Sequence, residues 1–220
     1  METKLKLLSV NVGLPRQVIS KGKVVTTGIF KYPVEGSVRI RTLNLDGDRQ
    51  ADLNVHGGIH KAVYAYPAEH YEYWRRELPE VEFPWGMFGE NLTTEGLLES
   101  EVHIGDRFQI GSAQLIASQP RLPCYKLAVK FGRDDIIKRF LDSRRTGFYF
   151  AVVKEGEVNT GDSIELISRD ADKIAVSEIT RLFLDGKDDV AALKRALQLE
   201  ALPASWKTHF EHQLEKLRTG

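Results

Sequence analysis

The chain holds one cysteine, Cys124, in the stretch SQPRLPCYKL from Ser118 to Leu127. Pro123 precedes it directly and Pro120 lies just upstream, so the loop is stiff and the thiol's direction is set. Arg121 and Lys126 flank it, and neighbouring cations favour the thiolate, the form that attacks electrophiles and binds soft metals. The opposing reading is a small, inert hydrophobe of the core. Acyl transfer through a thiol–imidazole pair is a weaker option, because no local nucleophile motif surrounds Cys124. His209 and His212, near the C-terminal end, read as solvated helix positions.

The densest polar stretch is LDGDRQADLNVHGGIHKAVYAYP, Leu45 to Pro67. Its HGGIHK core places Gly57 and Gly58 between His56 and His60, with Lys61 next. Adjacent glycines let successive backbone N–H groups face one anion, and Lys61 adds a charge, so a phosphate is the natural guest. The alternative is an ordinary glycine-rich turn. Neither nucleotide-binding glycine fingerprint is present. His56 and His60 have the spacing of a helical zinc pair, but the intervening glycines oppose a helix and the metalloprotease glutamate is missing. In MFGENLTTEGL, Met87 to Leu97, Asn91, Thr93 and Thr94 offer amide and hydroxyl groups to a polar ligand. They would equally serve to cap their own backbone.

Composition narrows the classes. The 220 residues carry 31 Lys+Arg and 31 Asp+Glu, a formal net charge of zero, which argues against bulk nucleic-acid binding or a membrane-surface role. One cysteine cannot form an intramolecular disulfide, a Cys-rich zinc site or a Cys-ligated iron–sulfur cluster. METKLKLLSV lacks the apolar core of a signal peptide and no apolar run is long enough to span a bilayer. The expectation is a soluble, cytoplasmic protein whose core needs no staples.

The elements that must position these residues are mainly strands. KLKLLSVNVG sets Leu5 and Leu7 on one face, and SVRIRTLNL alternates through Val38, Ile40 and Thr42. GDRFQIGSAQLIAS predicts a hairpin turning at Gly111-Ser112, and GFYFAVVKEGEVNTGDSIELIS another around Glu155-Gly156. VHIGDRFQI and VNTGDSIEL echo one another, a recurring Gly-Asp corner leading into a strand. Many short strands with glycine turns favour a barrel or sandwich. Two helices interrupt them: YPAEHYEYWRRELPE, with Pro67 in its first turn and a stop before Pro79, and GRDDIIKRFLDS, with Ile136, Ile137, Phe140 and Leu141 on one face. After about residue 168 three amphipathic segments follow, VSEITRLFL, DDVAALKRALQL and LPASWKTHFEHQLEKLR, which should pack as a small bundle. The chain is therefore divided into 1–167 and 168–220. The last helix mixes charges rather than presenting a basic face, so covering apolar surface or forming a homodimer suits the bundle better than binding DNA.

Taken together, HGGIHKAVYAYP, FGENLTTEG, IGDRFQIGSAQLIASQPRLPCYKL and GFYFAVVKEGEV resemble the MOSC family, named for the C-terminal domain of molybdenum cofactor sulfurase. Within it the match is closest to the bacterial YiiM-type subgroup, and the three-helix tail resembles that subgroup's extra module. The resemblance implies a β-barrel, mainly β with a few helices, that binds the molybdenum cofactor (molybdenum on molybdopterin) with Cys124 as a sulfur ligand to the metal. It assigns His56, Lys61 and the Gly57-Gly58 backbone to the anionic end of the pterin, with Arg49 extending the basic wall. Asn91 and Thr93, and Ser118, Gln119 and Arg121 beside Cys124, would contact the cofactor.

The same resemblance implies an activity independent of pyridoxal phosphate. YiiM-type proteins are associated with reducing N-hydroxylated purines such as 6-hydroxylaminopurine. The N–O bond breaks at reduced molybdenum, and water leaves once two electrons and two protons have arrived. His56 or His60 would donate a proton, since imidazole titrates near neutrality. With no cluster-forming cysteines and no dinucleotide fingerprint, a separate reductase would bring electrons from a nicotinamide cofactor. Two alternatives remain: a carrier of molybdopterin or sulfur, and a sulfurtransferase bearing a persulfide on Cys124.

Overall fold

The computed structural model describes residues 5–186 and 189–219; Lys4 and Asp188, with which two of the expected segments open, lie outside the described residues. The N-terminal part runs β1 (Lys6–Val12), β2 (Arg16–Ser20), β3 (Lys23–Thr27), β4 (Tyr32–Pro33), β5 (Val38–Ile40), α1 (Leu53–His56), a 3-10 turn at Ile59–Lys61, β6 (Val63–Pro67) and α2 (Glu69–Glu77). Next come β7 (Leu92–Glu95), β8 (Arg107–Ile110), β9 (Ala113–Pro120), α3 (Tyr125–Phe131), α4 (Ile136–Ser143), β10 (Phe148–Lys154), β11 (Gly156–Val158) and β12 (Ile164–Ser168). The tail is α5 (Val176–Leu184), α6 (Val190–Gln198) and α7 (Ala204–Thr219).

Eight strands make one mixed sheet in the order β12-β8-β9-β10-β6-β7-β1-β4. Its parallel pair is β6 with β7, joined by the helical crossover through α2 that parallel neighbours require. The expected barrel does not close as a continuous ladder. β1 is the reason: its second half pairs with β4, and its first half reaches only the turn before β12 and that strand's first residue. There Leu7 N donates to Asp162 O at 2.9 Å, Gly161 N to Leu7 O at 2.8 Å and Ile164 N to Leu5 O at 3.1 Å, with a single bridge at Lys6–Ser163. The fold is mainly β, a curled sheet with a helical tail.

The Gly111-Ser112 hairpin forms as expected, Ile110 facing Ala113. The Gly-Asp echo is two copies of one corner. In each, glycine takes positive φ (Gly105 at 95°, Gly161 at 97°), where a side chain would be strained. The aspartate then accepts an N–H from three residues back, Asp106 from His103 at 3.0 Å and Asp162 from Asn159 at 2.8 Å. The corners feed β8 and β12, which pair with each other.

The expected hairpin at Glu155-Gly156 is not one. Both edges of β10 are taken by β9 and β6, and β11 turns away to pair with β5. Gly156 permits this, since a Cβ there would lie 2.4 Å from the Ser112 backbone. β5 stops at Ile40 rather than running on to Thr42, whose N–H and hydroxyl bind Glu155. Pro67 closes β6 instead of opening α2, which starts two residues later and does end before Pro79.

β6 is buried on both faces and divides two cores. Val63 and Ala65 join the interior cluster, with Phe148 and Phe150 from β10. Tyr64 and Tyr66 point the other way, into an aromatic cluster with Tyr71, Trp74, Phe88 and Phe140 beneath α2, α3 and α4. Alternation along a strand enforces this split. The tail does not stand apart: Ile179, Leu182, Leu193, Trp206 and Phe210 belong to the interior cluster. Among the described residues no helix is long and apolar enough to cross a membrane.

Candidate active site

β9 leaves the sheet at Pro120, and Arg121 N is tied to Gly147 O at 3.1 Å. Cys124, in extended conformation, precedes α3, and its carbonyl accepts from Leu127 N. The thiol is partly exposed, not a core residue. Its Sγ lies 3.2 Å from His56 Nε2. The thiol–imidazole pair that had no local signature is thus assembled across 68 residues.

His56 reaches that position because α1 ends on it. Gly57 N donates to Leu53 O, and Gly58 adopts φ 99°, ψ 161°, a conformation suited to glycine. The Gly57 N–H is therefore spent inside the turn. The pair of glycines redirects the chain so that His56 and Lys61 line one wall. The 3-10 turn is pinned by β9: His60 O lies 2.8 Å from Ser118 Oγ and accepts from Gln119 Nε2 at 3.0 Å.

The cleft over Cys124, an open space of about 590 Å³ with its mouth included, is bordered by Lys31, Arg49, Lys61, Arg121 and Lys126 and by no described carboxylate. Lys31 is ion-paired with the buried Asp48 carboxylate, so the positive potential over Cys124 comes from Arg49, Lys61, Arg121 and Lys126. Burial, followed by the charges of Lys126 and Lys61, holds the His56 imidazole below its usual 6.5, with Asp52 opposing. Burial also lowers Lys61. Arg121 is 5% exposed, its guanidinium over the rings of Phe140 and Tyr64 at 5.0 and 5.3 Å. Its Nη1 is buried without a hydrogen-bond partner among the described residues, as is His56 Nδ1. An orphaned buried guanidinium nitrogen is costly unless an acceptor meets it.

Of the residues singled out in the sequence, Arg49, His56, Lys61, Asn91, Arg121, Cys124 and Lys126 border this cleft. Asn91 is already engaged, accepting from Tyr64 N and donating to Asp48 at 2.9 Å and to Asn11 O. Thr93 is fully buried between Asn11 and Glu90, and Ser118 is spent on backbone carbonyls. His60 holds the turn through its carbonyl and does not border the cleft. These three support the site rather than face it.

Sequence reasoning missed Lys31, Tyr64 and Tyr149 on the same wall, whose only trace is a basic or aromatic residue within FKYP, VYAYP and GFYF. It also misplaced His209. That ring is partly buried, 4.6 Å from Phe183, and borders a second cleft that shares Cys124.

A thiol and imidazole under a crown of cations, set where a strand leaves a curled mixed sheet, define a class of anion-binding site with a soft ligand. Residues 52–165 match the MOSC domain model, and residues 174–217 the model described as YiiM-like, 3-alpha helix domain. The chain belongs to the MOSC domain family. It is 40% identical to YflK of Bacillus subtilis, over 98% of this chain and 97% of that one. It is 34% identical to a protein named Reductase from Gibberella moniliformis, over 80% of this chain but 32% of that longer one. The crystal structure of YiiM from Geobacillus stearothermophilus superposes with a TM-score of 0.81 at 33% identity, covering 96% of this chain and 99% of that one.

Proposed function

We propose that the protein is a molybdenum-dependent reductase of N-hydroxylated bases, working at Cys124. The observation that carries this reading is the pair of Cys124 Sγ and His56 Nε2 at 3.2 Å beside the unpartnered Arg121 nitrogen. The donor set fits the cofactor. A soft sulfur suits molybdenum, and Arg121, Lys61 and Lys126 suit the pterin's phosphate. Among the described residues no group of three or more His, Cys, Asp or Glu side chains could hold a metal. A metal at Cys124 would have to bring its other ligands with it, as molybdopterin does.

When bound, the molybdenum cofactor supplies a two-electron centre at which an N–O bond can be cleaved. The overall change is R–NHOH + 2 e⁻ + 2 H⁺ → R–NH2 + H2O. The chain's own residues hold and move protons. His56 Nε2 accepts the proton of Cys124, which frees the sulfur as a ligand, and the resulting Nε2–H is placed to return a proton to the substrate oxygen. Arg121, fixed over two rings, orients the anionic end of the cofactor without being able to lose its charge. Electrons come from a separate reductase in this reading. The Gibberella protein named a reductase, in which this unit is only about a third of the length, is the arrangement expected if the electron-delivering part were fused.

The test is metal and pterin analysis of the protein purified from cells that make the cofactor. Stoichiometric molybdenum and pterin are expected. Folded protein that holds neither, even after reconstitution, would sink the reading and leave the sulfur-transfer alternative.

A pH prediction follows from His56. Its proton affinity is lowered, so the imidazole is neutral at pH 7 and becomes cationic only below its usual 6.5. The cationic form carries the proton that the substrate oxygen takes up in each turnover, whereas the thiol proton is lost once, when the sulfur becomes a ligand. So kcat/KM should fall as pH rises, with a midpoint below 6.5. The limb should vanish in His56→Asn. A midpoint above 6.5, or an identical limb in the variant, would remove His56 from proton transfer.

A further inference from the structure

Cys124 sits where two clefts meet. His56, Lys61, Cys124 and Tyr149 border both. The first is the cationic one described above. The second runs from the Cys124 loop to the C-terminal helices, and its far side is Phe183 of α5 with Ser205, Trp206 and His209 of α7. No carboxylate borders it among the described residues, and Lys61 is its only lysine or arginine. Its interior of about 380 Å³ lies toward the lower end of the roughly 300–1,000 Å³ of small-molecule sites.

The far side is aromatic and fixed. Phe183 lies 5.2 Å from Trp206 and 4.6 Å from His209, centroid to centroid. Trp206 Nε1 donates to Gln119 Oε1 at 2.6 Å, and Gln119 Nε2 in turn donates to His60 O. One amide thus clamps the helical module to the strand and turn that carry Cys124 and His56. Burial, with Lys216 and His212 nearby, lowers the proton affinity of the His209 ring, and its Nε2 lies 3.1 Å from Gln213 Nε2, which holds the ring in place.

We infer that the second cleft is the substrate slot, and that Phe183, Trp206 and His209 of the C-terminal helices form the wall against which a flat, uncharged, N-hydroxylated aromatic ring lies. The inference rests on the reductase reading and deepens it. Anionic cofactor and neutral substrate reach Cys124 through two adjoining, chemically distinct clefts. The helical module sets which substrates fit, by stacking. Small aliphatic hydroxylamines would use the same reactive position without the wall.

Phe183→Leu removes one of the three flat rings of the wall while keeping apolar bulk, and Trp206 stays in place with its clamp. Adenine binding to the full chain, as purified and after cofactor loading, is followed by ligand-observed NMR. Wild type should bind adenine, and Phe183→Leu should weaken binding roughly tenfold, the scale of one lost base–aromatic stack. In the loaded enzyme, KM for an N-hydroxylated aminopurine should rise similarly at unchanged kcat, while KM for N-methylhydroxylamine stays put. Failure of wild type to bind adenine overturns the inference, as does equal affinity in the two proteins or an equal KM rise for both substrates. Phe183-dependent adenine binding in a wild type that reduces nothing keeps the slot and removes the reductase reading. Reduction indifferent to Phe183 does the reverse.

Discussion

Cys124→Ser should abolish reduction of N-hydroxylated substrates while leaving the melting temperature nearly unchanged. The thiol is partly exposed and its contact of note is His56, so replacing sulfur by oxygen removes little packing. Away from core and network positions a substitution is usually worth within about 0.5 kcal/mol. Serine keeps a hydrogen bond to Nε2, which separates loss of the soft ligand from loss of the pair's geometry. Losing an outer-shell partner costs a metal site roughly 10–100-fold in affinity or activity, and losing the ligand itself should cost more. The measurements are turnover and molybdenum content beside thermal denaturation. A variant with wild-type rates and full metal would show that Cys124 is not the ligand. A carrier of sulfur or molybdopterin also needs the thiol, but its wild type would not turn over at all.

Lys31→Met should destabilise the fold more than Cys124→Ser, His56→Asn or Phe183→Leu. Asp48 has no exposed side-chain surface, and it accepts from Lys31 Nζ at 2.5 Å, Gly13 N at 3.0 Å and Asn91 Nδ2 at 2.9 Å. Removing the lysine strands a carboxylate in the interior, a loss of about 3–5 kcal/mol for a buried pair. The two remaining donors hold the effect toward the lower end. Adding Asp48→Asn should recover part of it: the neutral amide needs no counter-charge, but its NH2 must face either Gly13 N or Asn91 Nδ2, both donors. Urea denaturation of the two single variants and the double variant gives the cycle. If Lys31→Met alone unfolds at the wild-type midpoint, the pair is not what holds the loop around Asp48. Cofactor binding should weaken with stability, because Asn91, on the cleft wall, is oriented by that same carboxylate.

Local chemistry was legible in the sequence and partner choice was not. Gly111-Ser112 makes its hairpin because the turn alone decides it, and Gly105-Asp106 and Gly161-Asp162 make their corners for the same reason. Gly156 looked like a similar turn, yet whether β11 folds back on β10 depends on the edges already filled by β6 and β9. The site divides likewise. Cys124, Arg121 and Lys61 were found from residue type and loop stiffness. Pairing of Cys124 with His56, and the spending of Thr93, Ser118 and His60 on support, depend on strands that meet far from one another in sequence. His209 reads as a solvated position of the terminal helix, but Phe183, from another helix, packs 4.6 Å from its ring.

β1 is made early and is among the last strands to be completed. β1 gains β7 on one flank, but the main-chain partners of its other flank, Gly161 to Ile164, come roughly 150 residues later. At the usual pace of about 5–20 residues per second, translation leaves that edge open for roughly 8–30 s. An unpaired edge is a template for any other nascent chain. The exposed Lys6 sits on it, and a charge there is the ordinary guard against such pairing. Co-translational yield, rather than the stability of the finished molecule, is therefore where changes at the start of β1 should be felt first.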